Sequence, residues 1–427
     1  MFIFYRVITT LLYPGLCIFI YLRKILKKED SKRYKEKIFS SHFKFDKNKD
    51  KKLFWFHAAS IGEFKSILPI IDELNIKDKK LEFLITTTTL SSSHVAKEEL
   101  KKYKNVHHRF LPLDVNFLVK KFLDIYKPNV LFLVDSEIWP NLISNVSGKK
   151  IPIALINARI TSKSFSRWMM FPKSAKNIFN KINICLSSNL ETKNYLSKLG
   201  ANNIFFYGNI KLIKRANNQL IQNGNEKILL NNKFWLAAST HAGEDNFCIN
   251  THKELKKKFY NIKTIIAPRH IERVDEIKSL CEKNNLRCQI LNHNEIISLD
   301  KEVLILNSFG ILQNYYKYVK SVFIGKSILE KLKHQGGQNP LDAANLGCKI
   351  YHGPYVYNFK EIYNILGEHN ISKQVNNYIN LSNYIENDLL SPKADEDKFS
   401  KIIENYSQET LTNTINTIEK YLINENT

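Results

Sequence analysis

From residue 52 onward, short apolar runs rich in β-branched and aromatic residues alternate with longer stretches of helical period. The first series is "LFWFHA", "LEFLITTTT", "VHHRFLPL", "NVLFLVD", "IPIALINA", "INICLSS" and "NIFFYGN", with segments such as "NFLVKKFLDIYKP" between them, and it closes near residue 208. Strand-like runs separated by helical segments predict a parallel sheet with helices on both faces. The polar stretch "KLIKRANNQLIQNGNEKI" interrupts the pattern and reads as a linker. The alternation then restarts with "KFWLAAS", "IKTIIAPRH", "EVLILN", "SVFIG" and "KIYHGP", so a second doubly wound α/β domain follows the first. Residues 396–424 read as one long helix that packs back across the first domain. The expected divisions are an N-terminal anchor over 1–28, a first domain over 29–208, a linker over 209–225, a second domain over 226–395 and the terminal helix over 396–427.

Ahead of this pattern, "FIFYRVITTLLYPGLCIFIYL" carries one charge, Arg6, in 21 residues and runs into "RKILKK". About 20 apolar residues can cross a bilayer as a helix. Pro14 and Gly15 weaken that helix and leave a shallow interfacial placement open. A cleaved signal peptide is the competing reading, but no A-x-A-like site follows. Basic residues on the C-terminal side of the segment place the main body in the cytoplasm.

Composition changes the picture in two respects. A chain of 427 residues, 44% hydrophobic with only 14 Gly and 11 Pro, has the content for two packed cores, which excludes disordered and fibrous classes. The formal charge of +23 favours an anionic partner such as phosphorylated lipid, a bilayer surface or nucleic acid. Abundant Lys and Asn also follow from AT-biased codons. Six Cys form no C-x-x-C pair, which argues for a reducing compartment and against a structural metal.

Ligands of open α/β sheets bind beyond the carboxyl ends of the strands, so residues just after the apolar runs carry the chemistry. With two such sheets in tandem, the cleft between them is the expected site. Glu63 follows "LFWFHA" through the turn "ASIG", with Ser60 and Gly62 beside it. A carboxylate in the first turn of a helix also complements the helix dipole, so a purely structural Glu63 is the alternative. "FLVDSEIWPN" delivers Asp135 and Glu137 at i and i+2, so at most one follows the strand direction. "INARITS" adds Arg159. Acids that can take a hydroxyl proton, beside a cation that can orient an anionic group, are the parts of a transfer site.

The second domain offers hydroxyls and cations instead: Ser239 and Thr240 in "LAASTHAGED", Arg269 and His270 in "APRHIER", and Ser308 and Gly310 in "NSFGIL". "HQGGQNPLDAA" places Gly336 and Gly337 in a loop, Pro340 at the first helical position and Asp342 in the first turn. Such helix starts form an anion site. Neither the P-loop nor the G-x-G-x-x-G dinucleotide fingerprint occurs. The residues therefore describe a transferase whose donor carries phosphate.

The stretches "FHAASIGE", "LPLD", "SEIWPNL", "INARIT", "GNIK", "ASTHAGE", "PRH", "GGQNPLDAA" and "GPYVYNF" together resemble the Kdo (3-deoxy-D-manno-octulosonic acid) transferases of lipopolysaccharide biosynthesis, in that family's order and up to about residue 362. The resemblance implies a GT-B glycosyltransferase fold, CMP-Kdo as donor, the lipid A precursor as acceptor at the cytoplasmic face of the inner membrane, inversion at the anomeric carbon, and no metal or other cofactor. It also implies that Glu63 is the general base and Glu137 a second acid, that Lys211 in "GNIK" neutralises the donor carboxylate or phosphate, that Asn339 and Asp342 hold the nucleotide, and that Ser239, Thr240, Arg269 and His270 line its phosphate. Departures from the family pattern are Gln338 and Asp342 in the Gly336–Asp342 loop, and Asn307 and Ile311 in "NSFGIL". Two other readings compete: a related GT-B transferase with a UDP-sugar donor, and a basic nucleic-acid-binding protein. Against the second, the 26 Phe and 20 Tyr fall mostly in core-like runs and no nucleic-acid motif appears. No motif sets an oligomeric state or a number of transfers.

Overall fold

The computed structural model describes all residues except 1, 46–49, 213–223, 309, 334–335, 394–395 and 424–427. The linker read over 209–225 therefore falls largely outside the described residues. The chain divides into two compact units, Met1–Arg215 with Tyr406–Thr427, and Ala216–Asn405.

The first unit is built on seven strands: β1 Lys52–His57, β2 Leu81–Thr87, β3 Val106–Phe110, β4 Val130–Val134, β5 Ile153–Ala158, β6 Ile184–Ser187 and β7 Ile204–Phe206. They pair in the order β3-β2-β1-β4-β5-β6-β7, and every pair is parallel. A strand covered on both faces has no polar side, which is why the central β4 is apolar throughout, whereas the outermost β3 and β7 are only partly buried. Alternate residues of β1 show it: Leu53 and Trp55 enter one core with Phe122 and Leu131, while Phe54 and Phe56 enter the other with Phe83 and Phe132. The terminal helix Glu396–Ile418 adds Leu411, Ile415 and Ile418 to that second core.

The second unit contains β8 Phe234–Thr240, β9 Lys263–Pro268, β10 Cys288–Leu291, β11 Val303–Leu306, β12 Ser321–Ile324, β13 Lys349–His352 and β14 Ser372–Gln374, in the order β10-β11-β9-β8-β12-β13-β14. All its pairs are parallel. β10 and β14 have no counterpart among the predicted runs.

The leading segment differs from the single anchor helix expected. It forms two helices, Phe2–Leu11 and Tyr13–Ile25, bent by 53°. Pro14 in the first turn of the second helix lacks an N–H and its ring crowds the preceding turn, so one straight helix cannot run through it. Among the described residues no single helix is long and apolar enough to cross a membrane. Both helices are tied to the first unit, through Tyr5 Oη donating to Asp114 at 2.9 Å and Tyr13 stacking edge-on against Phe117. Their outer side leaves Ile3, Phe4, Leu11, Leu12, Ile18 and Ile25 exposed.

Candidate active site

In the first unit the helix Ile61–Lys77 starts right after β1, and its start is a capping box. Ser60 Oγ accepts from the Glu63 N–H at 3.3 Å, and Glu63 Oε2 accepts from the Ala59 N–H at 2.8 Å and the Ser60 N–H at 3.4 Å. Ser60 Oγ also donates to Glu63 Oε1 at 2.8 Å. The half-buried carboxylate is thus fixed in one rotamer by three donors. A carboxylate offers about four lone-pair directions, so one remains on Oε1. Gly62 has no atom within 4 Å of where a Cβ would stand, so nothing in the unit requires its lack of a side chain.

The two acids after β4 diverge, as their i, i+2 spacing demands. Asp135 adopts a left-handed backbone, φ 63°, a conformation that costs a non-glycine residue about 1 kcal/mol or more and clusters at functional sites. Its carboxylate pairs with Lys211, so the cation expected to meet the donor is compensated by Asp135 here. Glu137 turns to β1: His57 Nε2 lies 3.1 Å from its Oε2, and Trp139 Nε1 donates to the same oxygen at 2.8 Å. Burial raises the pKa of the Glu137 carboxyl, but the hydrogen bonds from His57 and Trp139 outweigh it and hold it below the ordinary value. The Arg159 N–H donates to the Asp135 carbonyl at 3.2 Å, which joins the ends of β4 and β5. Glu63, Glu137, Arg159 and Lys211 all stand at or beyond the carboxyl ends of strands in this unit.

In the second unit, the end of β8 is shaped by a buried acid to which the sequence pattern gives no role. Glu244 accepts from the backbone N–H groups of His241 at 2.9 Å, Lys326 at 2.6 Å, Ser327 at 2.8 Å and Ile328 at 3.2 Å. It binds the loop after β8 to the loop after β12. The fit is close: a Cβ on Gly325 would stand 2.6 Å from the Ser239 carbonyl oxygen, and one on Gly336 would stand 2.1 Å from that of Tyr355. Ser239 itself is left-handed, φ 56°, at a register shift between β8 and β9. Thr240 is buried and donates to Asp245 at 2.9 Å, which makes it a structural hydroxyl in this arrangement.

Arg269 and His270 are exposed just after β9, and the His270 ring meets that of His241 edge-on at 5.8 Å. Burial pulls the His241 imidazole below its ordinary value. Ser308 and Gly310, φ 78°, precede the short helix Gln313–Tyr316. Gly337, φ 91°, donates its N–H to the Lys326 carbonyl at 2.7 Å and so joins the same loop cluster as Glu244. Asn339 Oδ1 accepts from the Leu341 N–H at 3.0 Å, and Asp342 lies in the first turn of the helix Leu341–Asn345. Pro340 is the residue before that helix, not its first, because its carbonyl already takes the first helical bond from Ala344.

The comparisons with known proteins agree on a family. The family model for 3-deoxy-D-manno-octulosonic-acid transferase (kdotransferase) matches residues 32–213. A 3-deoxy-D-manno-octulosonic acid transferase of Rickettsia bellii is 30% identical over 417 residues, 95% of this chain and 94% of that protein. This chain belongs to the Kdo transferase family. Another member, from Haemophilus influenzae, is 30% identical over 312 residues, 72% of this chain and 71% of its own. In fold, the chain resembles a glycosyltransferase from Rickettsia africae with a TM-score of 0.61 at 12% identity, over 88% of this chain and 100% of that one. It also resembles the UDP-GlcNAc 2-epimerase of Neisseria meningitidis, TM-score 0.55 at 13% identity over 88% and 100%. These likenesses show two parallel-sheet α/β domains of the kind found in GT-B glycosyltransferases. The segment matched by the Kdo transferase model holds Glu63, Glu137, Arg159 and Lys211, and also His57, to which the sequence pattern assigns no role. The cue for His57 was available: it is the one titratable side chain in the apolar run "LFWFHA", directly before the Glu63 turn.

Proposed function

We propose that this Kdo transferase moves Kdo from CMP-Kdo to a glucosamine hydroxyl of the lipid A precursor, with inversion and without a metal. The observation that carries the reading is Glu63, a carboxylate locked at a helix start by three donors with one lone-pair direction to spare. In the reaction Glu63 takes the hydroxyl proton, the acceptor oxygen bonds to the anomeric carbon, and the bond from that carbon to the CMP phosphate oxygen breaks. Glu137 orients a sugar, with Arg159 and Lys211 at neighbouring strand ends of the same unit. Arg269, for which no side-chain partner occurs among the described residues, meets the donor phosphate together with His270, Ser239 and the backbone beside Thr240. Ser308 and Gly310 lie alongside, and Gly337, Asn339 and Asp342 take the nucleoside.

The same reading gives the leading helices a place at the cytoplasmic face of the inner membrane. Their exposed apolar side, followed by Arg23, Lys24, Lys27 and Lys28, suits the interface of an anionic bilayer that holds a phosphorylated lipid acceptor. The 53° bend suits helices lying in that interface better than a straight crossing.

The experiment is mass analysis of the products formed from CMP-Kdo and a tetra-acylated lipid A precursor, with Glu63→Gln in parallel. Gln preserves the capping box, so the variant keeps its fold while turnover drops about 10² to 10⁴-fold. Near-normal turnover would remove Glu63 from the base role. Transfer from a UDP-sugar but not from CMP-Kdo would replace the donor.

A further inference from the structure

Behind Glu137 runs a chain of hydrogen bonds whose direction is fixed by its ends. Trp55 Nε1, which can only donate, lies 2.9 Å from Thr86 Oγ1. Thr86 then has its own hydroxyl hydrogen to give, and His57 Nδ1 stands 3.0 Å away, against 3.4 Å for the Phe56 carbonyl oxygen. With Nδ1 accepting, the imidazole hydrogen sits on Nε2, facing Glu137 Oε2 at 3.1 Å. Nδ1 also lies 3.1 Å from the Thr86 carbonyl oxygen, a contact that a doubly protonated ring would satisfy. In both of these states Nε2 carries a hydrogen toward Glu137, whereas a neutral ring with its hydrogen on Nδ1 would turn a lone pair onto an ionised carboxylate. The far end is fixed as well, because Trp139 Nε1 is also donor-only and points at the same Oε2.

We propose that His57 is a positioning residue for transfer: its Nε2–H, with the indole N–H of Trp139, clamps one oxygen of Glu137 and leaves the other, Oε1, to meet the substrate. His57 is fully buried, so it touches no substrate itself, while the Glu137 side chain is 15% exposed and its Oε1 has no hydrogen-bond partner among the described residues. What Oε1 meets rests on the transferase reading; the clamp does not. The charged and titratable groups carried by the nearby strand ends are Glu63 after β1, Asp135 after β4, Arg159 after β5, and Lys211 beyond β7, which reaches Asp135. Asp135 and Lys211 are paired with each other, and the hydrogen bonds to Glu137 come from His57 and Trp139.

The test uses the full-length protein with isotope-labelled tryptophan, the Trp139 indole resonance being assigned through Trp139→Phe. That resonance reports the ionisation of the carboxylate it touches, with or without catalysis. In His57→Phe the midpoint of its acid titration moves up by about one pH unit, the size expected when one hydrogen bond to a charged group is lost. His57→Gln, whose amide N–H can reach the same oxygen, moves it less. In kinetics, the acid limb of kcat/KM moves up with the resonance, and kcat falls about tenfold while KM changes less than about threefold. Thr86→Val, which keeps the shape and removes the hydroxyl, gives a smaller displacement in the same sense and serves if the Phe variant does not fold. An unmoved midpoint in His57→Phe or Thr86→Val, or equal displacements in the Phe and Gln variants, overturns the clamp. Absence of any Kdo transfer by the unaltered enzyme would defeat the transferase reading and leave the resonance result standing.

Discussion

At the strand ends of the first unit, acids are held by other side chains: Glu137 by His57 and Trp139, Asp135 by Lys211, Glu63 by Ser60 together with two backbone N–H groups. At the strand ends of the second unit the relation is reversed, and one acid, Glu244, holds four backbone N–H groups from two loops. The first arrangement presents carboxylates at or near the surface. The second consumes a carboxylate inside the fold to fix the shape of loops whose glycines leave no room for a side chain. A proton acceptor must be reachable, whereas a phosphate cradle made of backbone needs only its shape. Under the proposed function, the contrast follows from those two requirements.

The largest effect that separates the units is expected from Glu244→Ala. Each buried donor left without an acceptor costs about 1–3 kcal/mol. With four donors orphaned, the second unit should lose about 4 kcal/mol or more and with it CMP binding, while the first unit's unfolding transition stays in place. Domain-resolved denaturation with calorimetric CMP titration measures both. A protein that keeps CMP affinity would show that Glu244 does not shape the donor loops.

Next in size is a response to acid. His252 and His352 in the second unit are pulled from 6.5 to about 4 by burial. A lowered folded value means the unfolded chain takes up protons first. The stability they lend is complete above about pH 6.5 and drains as pH falls toward 4. A tenfold difference in proton affinity between the folded and unfolded chain is worth about 1.4 kcal/mol, so the urea midpoint of the second unit should fall steeply between pH 6.5 and 4.5. In the first unit burial and Arg33 take His108 to about 3, a single histidine, so its midpoint should fall less. Equal losses would erase the contrast.

The smallest effect is expected from Ser60→Ala, which removes the N-cap hydroxyl that both accepts from and donates to Glu63. It should cost about 1 kcal/mol of first-unit stability and free the Glu63 carboxylate to rotate. Turnover should therefore drop more than the melting point suggests. A proportionate drop would show that the orientation of Glu63 is set elsewhere.

The strands buried on both faces were legible because two-sided burial leaves no polar position to blur the run. β10 and β14 were not, since they are the outermost strands of the second sheet, and only one residue of each four- or three-residue strand is buried. The kink in the leading segment was foreshadowed by Pro14. The placement of Glu63 and Glu137 just beyond strand ends was legible from the runs that precede them. The long-range pairings were not legible, because His57 meets Glu137 80 positions away and Glu244 meets three of its four donors more than 80 positions on. No local pattern encodes such pairings; only the order of strands in the sheet brings them together.

Asp114 closes a circuit of another kind. Its carboxylate takes the hydroxyl of Tyr5 from the first helix and, at the same time, the N–H groups of Asn141 at 3.0 Å and Leu142 at 2.8 Å, at the start of the helix that follows Glu137. One carboxylate therefore ties the first helix to a point four residues beyond Glu137. A version shortened by the leading helices should accordingly be judged by its turnover, since its yield would be blind to the loss of that tie.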